Sequence, residues 1–215
     1  MANITTQQLL VDGPRNVVLK LSGIVDTSDV SVTGTIGASG FTTTTGSKTV
    51  SFVAGALVPT VGQFLTFGDT AATFVAGTYV TSIISATSIT VSTAALKDNA
   101  AAAVTITGTT GSVVLLDPSK LSGVDCDGTL PTRLIIDHID FNVEAGLTVN
   151  LYWDATAPTF IHSLVNSGDD LDYKHFGGLW NNAGAGITGR ILYNTQGWSA
   201  SAILSYTVVL HCRKR

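Results

Sequence analysis

Residues 134–154, LIIDHIDFNVEAGLTVNLYWD, decide the fold class, because apolar and polar side chains alternate along them in two runs. A period of two is typical of a β-strand with one buried face. Residues 144–148 separate the runs and include Gly146, a residue that favours a turn. The pattern predicts an antiparallel hairpin in which Val143 lies opposite Val149, Phe141 opposite Leu151 and Ile139 opposite Trp153.

The other face of this hairpin is polar. The predicted register places His138 opposite Asp154 and Asp140 opposite Tyr152. An imidazole beside carboxylates suits a metal ion or general acid–base chemistry, and it is also an ordinary solvent-facing pair. We interpret His138, Asp140 and Asp154 as a candidate polar face made of ordinary solvent-facing residues. Asp137 falls in the apolar register and needs a hydrogen-bonding partner or a position at the rim of the sheet.

Charged residues divide the chain into two parts. Residues 31–110 hold four of the 26 charged residues, and all tryptophans and histidines follow that segment. Within it, short runs rich in Thr, Val and Ile are separated by glycines, which predicts small β-strands. We predict a host domain made of residues 1–30 and 111–215, with residues 31–110 inserted into one of its surface loops as a small β module.

The rest of the host sequence also predicts strands. Residues 113–116 form an apolar run stopped by Pro118, and residues 187–212 form two more strands around a connection from Asn194 to Ser201, the last with Leu204, Tyr206, Val208 and Leu210 on one face. No long helix is indicated. The predicted fold class is all-β, a jelly-roll-like antiparallel β-sandwich with an inserted small Thr/Gly-rich β domain.

Composition argues against several classes of protein. Charged residues make up 12% and hydrophobic residues 45% of the chain, which is typical of a folded domain, and no apolar run is long enough for a transmembrane helix. The N-terminus lacks the features of a signal peptide, so we expect synthesis in the cytoplasm and two reduced cysteines, Cys126 and Cys212. With a net charge of −4, nucleic acid and membrane are not expected partners, and we interpret the C-terminal HCRKR as a solubilising end.

A long Gly- and Asn-rich stretch, residues 166–186, joins two predicted hairpins and is interpreted as a packed or interfacial loop. Its carboxylates from Asp169 to Asp172 could bind calcium, although the EF-hand pattern is incomplete, so a solvated acidic turn is the preferred interpretation. Its aromatic and amide residues could bind a glycan. We predict instead that aromatic residues contact another subunit, the candidates being Tyr173, Phe176, Trp180 and Trp198.

None of the common catalytic or nucleotide-binding motifs occurs in the sequence. We therefore expect a protein that is not an enzyme and that needs no cofactor. One enzymatic alternative is a metal-dependent glycan hydrolase that uses Asp137, His138 and Asp140.

Three stretches carry a resemblance to a known class of protein. The Thr-rich segment TSIISATSITVS, residues 81–92, resembles small β modules of bacteriophage virion and fibre proteins. The stretches LVDGPRNVVLKLSG, residues 10–23, and VVLLDPSKLSGV, residues 113–124, share the style of virion structural proteins of tailed bacteriophages. The chain thus resembles an auxiliary capsid protein of the decoration or cement type.

This resemblance implies a subunit on the capsid surface of the virion that binds the major capsid protein and itself, for example as a trimer. The insert would then project from the shell as a separate, weakly charged module. The N-terminal arm, residues 2–12, could add a strand to a neighbouring subunit. The alternative function is a receptor- or glycan-binding module of a fibre or tail.

Overall fold

The structure is a computed structural model, and it describes residues 4–25, 34–54, 61–67, 73–98, 106–108, 113–123, 129–166, 168–196 and 203–215. The fold is all-β and built from antiparallel sheets that do not close into a barrel. The chain divides into two compact units, Met1–Asp29 with Leu115–Arg215, and Val30–Val114. These divisions lie close to the changes in charge density along the sequence.

The first unit contains a six-stranded sheet in the order β1-β2-β16-β10-β13, with β14 also paired to β10. Its central strands are β10 and β16, which pair with each other along most of their length. The strands of this sheet are β1 (Ile4–Asp12), β2 (Asn16–Val25), β10 (Leu134–Val143), β13 (Asp169–Asp172), β14 (Leu179–Trp180) and β16 (Leu204–Lys214).

A four-stranded sheet in the order β12-β11-β15-β9 has its own buried face. Its strands are β9 (Val113–Leu116), β11 (Thr148–Trp153), β12 (Thr159–Val165) and β15 (Ile191–Gln196). Strand β9 ends before Pro118, as predicted, and Pro118 begins a short 3-10 helix, Pro118–Lys120, capped by Asp117. Tyr193 of β15 is wholly buried beside Tyr206 of β16, and burial raises the pKa of both phenols.

The predicted hairpin is wrong in its pairing. Strand β10 pairs with β16, whereas β11 pairs with β12 and β15 in the other sheet. Val143, Phe141 and Ile139 therefore do not lie beside β11 in a common ladder. Both strands bury one alternating face, as the pattern requires, but that pattern does not distinguish strands that are neighbours in one sheet from strands in two sheets.

The alternation along β10 also predicts that Ile135 shares the apolar face of Ile139 and that Ile136 lies on the polar face, and both assignments are wrong. Ile136 is opposite Cys212 and His138 is opposite His211, so Asp137 is one extra residue on β10, a β-bulge. The bulge shifts the alternation by one position. Ile136 therefore shares the buried face of Ile139, and Ile135 lies on the outer face with Arg213.

The inner face of the six-stranded sheet contains a close approach that only glycine permits. Tyr206 lies opposite Gly23, and a β-carbon at Gly23 would lie 2.5 Å from the Tyr206 ring. The ring thus crosses β2, and its hydroxyl lies 3.3 Å from the Thr5 hydroxyl on β1. This arrangement joins the edge strand to the centre of the sheet.

The second unit has its own sheet, in the order β5-β8-β3-β4-β7-β6, and its own apolar core. Phe41, Phe67 and Phe74 form an aromatic cluster in this unit, with ring centroids 4.6 to 6.5 Å apart. Threonine and serine hydroxyls pair across the strands, for example Thr81 with Thr90 at 3.0 Å. The strands are β3 (Gly34–Thr42), β4 (Thr49–Ala54), β5 (Leu65–Phe67), β6 (Val80–Ser85), β7 (Ser88–Val91) and β8 (Ile106–Gly108).

Two other interpretations of the sequence need correction. The stretch 166–186 is not one loop, because Asp169–Asp172 and Leu179–Trp180 are strands that pair with β10. The C-terminal HCRKR is not a solubilising end, because it continues β16 as far as Lys214. Alternation along β16 places Cys212 and Lys214 on the inner face and Arg213 on the outer face. The sequence alone shows only that residues 213–215 are all basic, and not that they lie on different faces.

The ammonium group of Lys214 is buried beside the end of β1 and the turn that follows it. It donates hydrogen bonds to the Asp12 carboxylate, the Ser122 carbonyl and the Gly13 carbonyl, the last at 2.7 Å. Ser122 also donates its backbone N–H to Asp12 at 2.7 Å. A buried charge is tolerated when it is paired and fully hydrogen-bonded, as here.

The Asp12 carboxyl makes stability depend on pH. Burial alone raises its pKa, but hydrogen bonds from Lys214 and Ser122 outweigh burial and place the pKa below the ordinary 3.8. A lowered pKa contributes stability that is present above the unfolded-state pKa and lost as the pH falls through the folded-state pKa.

We expect Asp12→Asn to lower the free energy of unfolding by about 2–3 kcal/mol at neutral pH, because Lys214 loses its counter-ion. The difference from the wild type should shrink as the pH falls below about 4. Urea unfolding across pH 2–7 measures both effects. Asp169→Asn, which changes the net charge equally at an exposed site, is the control, and an equal loss in both variants would contradict the prediction.

Candidate functional site

The candidate site is the outer face of the six-stranded sheet, around β10 and β16. The bulge at Asp137 turns His138, Asp140 and Asn142 outward, and β16 adds His211 and Arg213 to the same face. Strands β13 and β14 extend it on one side. Three neighbouring regions follow along the strands: an aromatic loop, a histidine–aspartate cluster and a shallow groove.

The aromatic loop, defined here as Tyr173–Trp180, is held in one conformation by backbone hydrogen bonds. The Tyr173 N–H donates to the Asp137 carbonyl at 2.9 Å, and the 3-10 helix Lys174–Phe176 follows. Gly177 and Gly178 both have positive φ, and a β-carbon on Gly178 would lie 2.3 Å from Ile135. The loop therefore covers Ile135, which explains why this outward-facing residue is buried.

An ion pair between Asp137 and Arg213 fastens the loop to the sheet. Arg213 donates from Nε to both carboxylate oxygens of Asp137, at 2.9 and 2.6 Å, and from Nη2 to the Gly177 carbonyl at 2.6 Å. The hydrogen bonds that Arg213 donates to Asp137 raise the pKa of Arg213. Asp137 thus has the partner that its position requires, and its carboxylate serves the structure of the loop.

The loop presents two large aromatic side chains to solvent. Phe176 is 85% exposed and Trp180 is 53% exposed, whereas Tyr173 is half-buried. The Arg215 guanidinium lies 5.2 Å from the centre of the Trp180 ring, a cation–π contact. Of the four predicted interface residues, the structure brings Tyr173, Phe176 and Trp180 into one loop, and Trp198 lies outside the described residues.

The histidine–aspartate cluster lies next to the loop. Nε2 of His138 is 2.9 Å from one carboxylate oxygen of Asp140, and Nε2 of His211 is 3.1 Å from the other. The two rings are edge-to-face, with centroids 5.4 Å apart. Asp170 adds a further carboxylate oxygen 4.0 Å from His138. His211 was not among the predicted residues, because only the antiparallel pairing of β10 and β16 brings it to Asp140.

Asp154 does not belong to this cluster. It follows β11 in the four-stranded sheet, accepts a hydrogen bond from the Thr188 hydroxyl at 2.6 Å and lies 3.7 Å from Arg190. The predicted opposition of His138 and Asp154 is wrong for the same reason as the hairpin. The candidate polar face is therefore divided, with His138 and Asp140 together and Asp154 apart from them.

The acidic stretch Asp169–Asp172 forms the edge strand β13. The Asp172 carboxylate accepts a hydrogen bond from the Lys174 N–H, which lowers the pKa of Asp172, and the Asp169 carboxylate accepts one from the Asp170 N–H. Within the described ranges, no three histidine, cysteine, aspartate or glutamate side chains are arranged to hold a metal ion.

A shallow groove of about 480 Å³ follows the cluster along the strands, and it is open to solvent. Asp140 and Asp170 line one side of it and Thr207 and Val209 the other. Its acidic wall and hydroxyl group suit recognition of a polar or basic group.

Of the two cysteines, Cys212 is a free, buried thiol whose pKa is raised by burial, and Cys126 lies outside the described residues. None of the described helical segments has the length and apolarity needed to cross a bilayer.

Comparison with protein-family models, curated protein sequences and solved structures finds no match to this chain.

We expect Arg213→Ala to lower the free energy of unfolding by about 2 kcal/mol, because Asp137 stays buried without its partner. The aromatic loop should also lose protection against amide hydrogen exchange at Gly177 and Gly178. Arg215→Ala is the matched control, since Arg215 is an exposed arginine of the same strand end whose guanidinium stacks on the Trp180 ring, and it should change stability by less than about 1 kcal/mol. Unchanged exchange in Arg213→Ala would show that the ion pair does not hold the loop.

Proposed function

We propose that the chain is a non-enzymatic virion structural protein, a decoration or cement subunit that binds the major capsid protein of a tailed bacteriophage. Its place would be the capsid surface, and its first unit would be a jelly-roll-like sandwich. The observation that carries the proposal is the aromatic loop, in which Phe176 and Trp180 are exposed while the backbone beneath them is fixed.

Exposed aromatic side chains on a fixed loop favour a binding function. Burying one large apolar side chain contributes about 1.5–3 kcal/mol, and aromatic residues are enriched among those that dominate interface energies. The histidine–aspartate cluster beside the loop lies on an open sheet face, where the shared Asp140 side chain is 47% exposed. Such a surface suits recognition of a charged neighbour better than acid–base chemistry, which benefits from an enclosed site.

A cement subunit would act through binding energy alone. It binds the assembled shell and not its separated parts, so it stabilises the assembled state by mass action. The resemblance of residues 10–23, 81–92 and 113–124 to phage virion proteins supports this class of partner.

The first test is the number of copies of this chain in purified phage particles, measured by quantitative mass spectrometry against the major shell protein. The proposal expects hundreds of copies and a lower disruption temperature for particles that lack the chain. Few copies would indicate a tail or fibre, and absence from particles would overturn the proposal.

A pair of variants tests the surface itself. Phe176→Ser should weaken binding to particles about tenfold or more, the equivalent of 1.4 kcal/mol, because the buried apolar contact is lost. Phe160→Ser is the matched control, an exposed phenylalanine on β12 of the other sheet. Equal binding by wild type and Phe176→Ser would exclude the aromatic loop as the capsid contact.

A receptor- or glycan-binding module is the second candidate function, and one observation favours it. The buried side-chain nitrogen of Asn181 has no hydrogen-bond partner, and it follows the exposed Trp180 directly in sequence. The exposed Trp180 ring suits the C–H surface of a sugar, and the Asn181 amide would have to become accessible on binding to reach a sugar hydroxyl. Arg215 stacks on the Trp180 ring, so a sugar would use its free face or displace Arg215.

Glycan-array binding tests this second function. Trp180→Ala should abolish any glycan signal, while Arg215→Ala should keep or strengthen it because a ring face is uncovered. An array without signal for the wild-type chain would remove the glycan function and leave the capsid proposal unaffected.

A further inference from the structure

Three of the five arginines of the chain lie at one end of the six-stranded sheet. Arg133 precedes β10 and Arg215 follows β16, and each donates its backbone N–H to the carbonyl of the other, at 2.7 and 2.9 Å. On the other side of β16, the Arg15 carbonyl accepts a hydrogen bond from the Lys214 N–H at 2.8 Å. All three arginines are exposed. We call Arg15, Arg133 and Arg215 the arginine end.

The position of these arginines does not favour folding. The register of β10 and β16 places Arg133 directly opposite Arg215, and like charges in that relation destabilise a sheet. An anionic partner would remove this repulsion. Arginine is suited to carboxylates in particular, because its planar guanidinium donates two parallel hydrogen bonds to them. The arginine end therefore fits a partner that carries exposed carboxylates.

The chain itself presents such a surface on the β13 edge of the same sheet. Asp169, Asp170 and Asp172 are exposed there, three carboxylates within four residues. No other stretch in the described part of the chain presents three exposed carboxylates so close together. The β13 edge is thus the strongest match in charge that a second copy offers to the arginine end.

One subunit cannot bring these two surfaces together. Asp172 lies opposite His138 on β10, and Arg133 is five positions before His138 along the chain. At about 3.3 Å per residue the separation is roughly 16 Å, whereas a direct ion pair needs about 4 Å. Ion pairs between the arginine end and β13 therefore require a second copy.

We propose that the arginine end of one copy binds the β13 edge of a second copy, head to tail. Because the contact joins two different surfaces, successive copies close into a ring when the rotation between them permits it. This inference rests on the proposed function, in which copies of the chain meet on a shell, and it names the surfaces that meet. Phe176 is outside the contact and remains available to the capsid protein.

The first experiment is sedimentation equilibrium of the full chain over a concentration series. The wild type should self-associate at low salt, and high salt should weaken the association because it screens exposed charges. Arg133→Glu should weaken the association about tenfold or more. Lys48→Glu is the matched control, an equal change of charge at an exposed site of the second unit, and should leave the association unchanged. Thermal unfolding of both variants checks that they fold.

Charge exchange between the two surfaces provides the decisive test. Asp170→Lys should weaken the association as Arg133→Glu does, because each variant brings like charges together at the contact. A mixture of the two variants should associate, since each supplies the charge that the other has lost, and native mass spectrometry should detect complexes that contain both. A chain that carries both changes should associate with itself for the same reason.

A further variant separates this contact from the aromatic loop. Phe176→Ser should self-associate as the wild type does, because the contact depends on charge at the arginine end and β13.

Four results would overturn the inference: a wild-type chain that is monomeric at every concentration, an association that Arg133→Glu or Asp170→Lys leaves unchanged, an equal loss in Lys48→Glu or Phe176→Ser, or a mixture of the two charge variants that does not associate. These measurements use the isolated chain. A monomer that still binds phage particles would refute the arginine contact alone, whereas a self-associating chain absent from particles would refute the capsid proposal alone.

Discussion

The buried ammonium group of Lys214 is the interaction on which the first unit depends. It holds the end of β1, the turn after it and the segment following the first 3-10 helix to the last residues of the chain. These partners are far apart in sequence, so the contact is available only after both ends of the chain have joined one sheet. Because an unpaired buried charge is strongly unfavourable, Lys214 favours this register of β16 over a slipped one.

The second constraint is the bulge at Asp137, which determines what the outer face presents. By adding one residue to β10, it directs Asp137 towards Arg213 and turns His138 and Asp140 outward. The same ion pair holds the carbonyl of Gly177 and with it the aromatic loop. One local irregularity thus positions both the loop and the histidine–aspartate cluster, in agreement with the frequent occurrence of bulges near functional sites.

The sequence was sufficient to predict the all-β class and the strands β9, β10, β11, β15 and β16, because a period of two records burial directly. It could not predict which strands are neighbours, since β10 and β11 show the same alternation whether they share a ladder or lie in separate sheets. The bulge could not be predicted either. In the sequence, Asp137 looks like a single polar residue on the apolar face, and not like the position at which the alternation of inner and outer residues shifts by one. His211, Arg213 and Lys214 were missed because their roles depend on long-range pairing.

The aromatic loop combines exposure with rigidity, and this combination bears on its function. A mobile loop would lose conformational entropy on binding, at about 0.5–1.5 kcal/mol for each immobilised side chain, with further loss from the backbone. Here Asp137, Arg213 and the two glycines fix the backbone beforehand, so more of the energy from burying Phe176 and Trp180 would remain as affinity. A loop that only covered Ile135 would need Gly178 and the ion pair, but it would not need to direct a phenylalanine into solvent. The exposed ring is therefore the part of the loop that folding leaves unexplained, and the proposed binding to another surface would explain it.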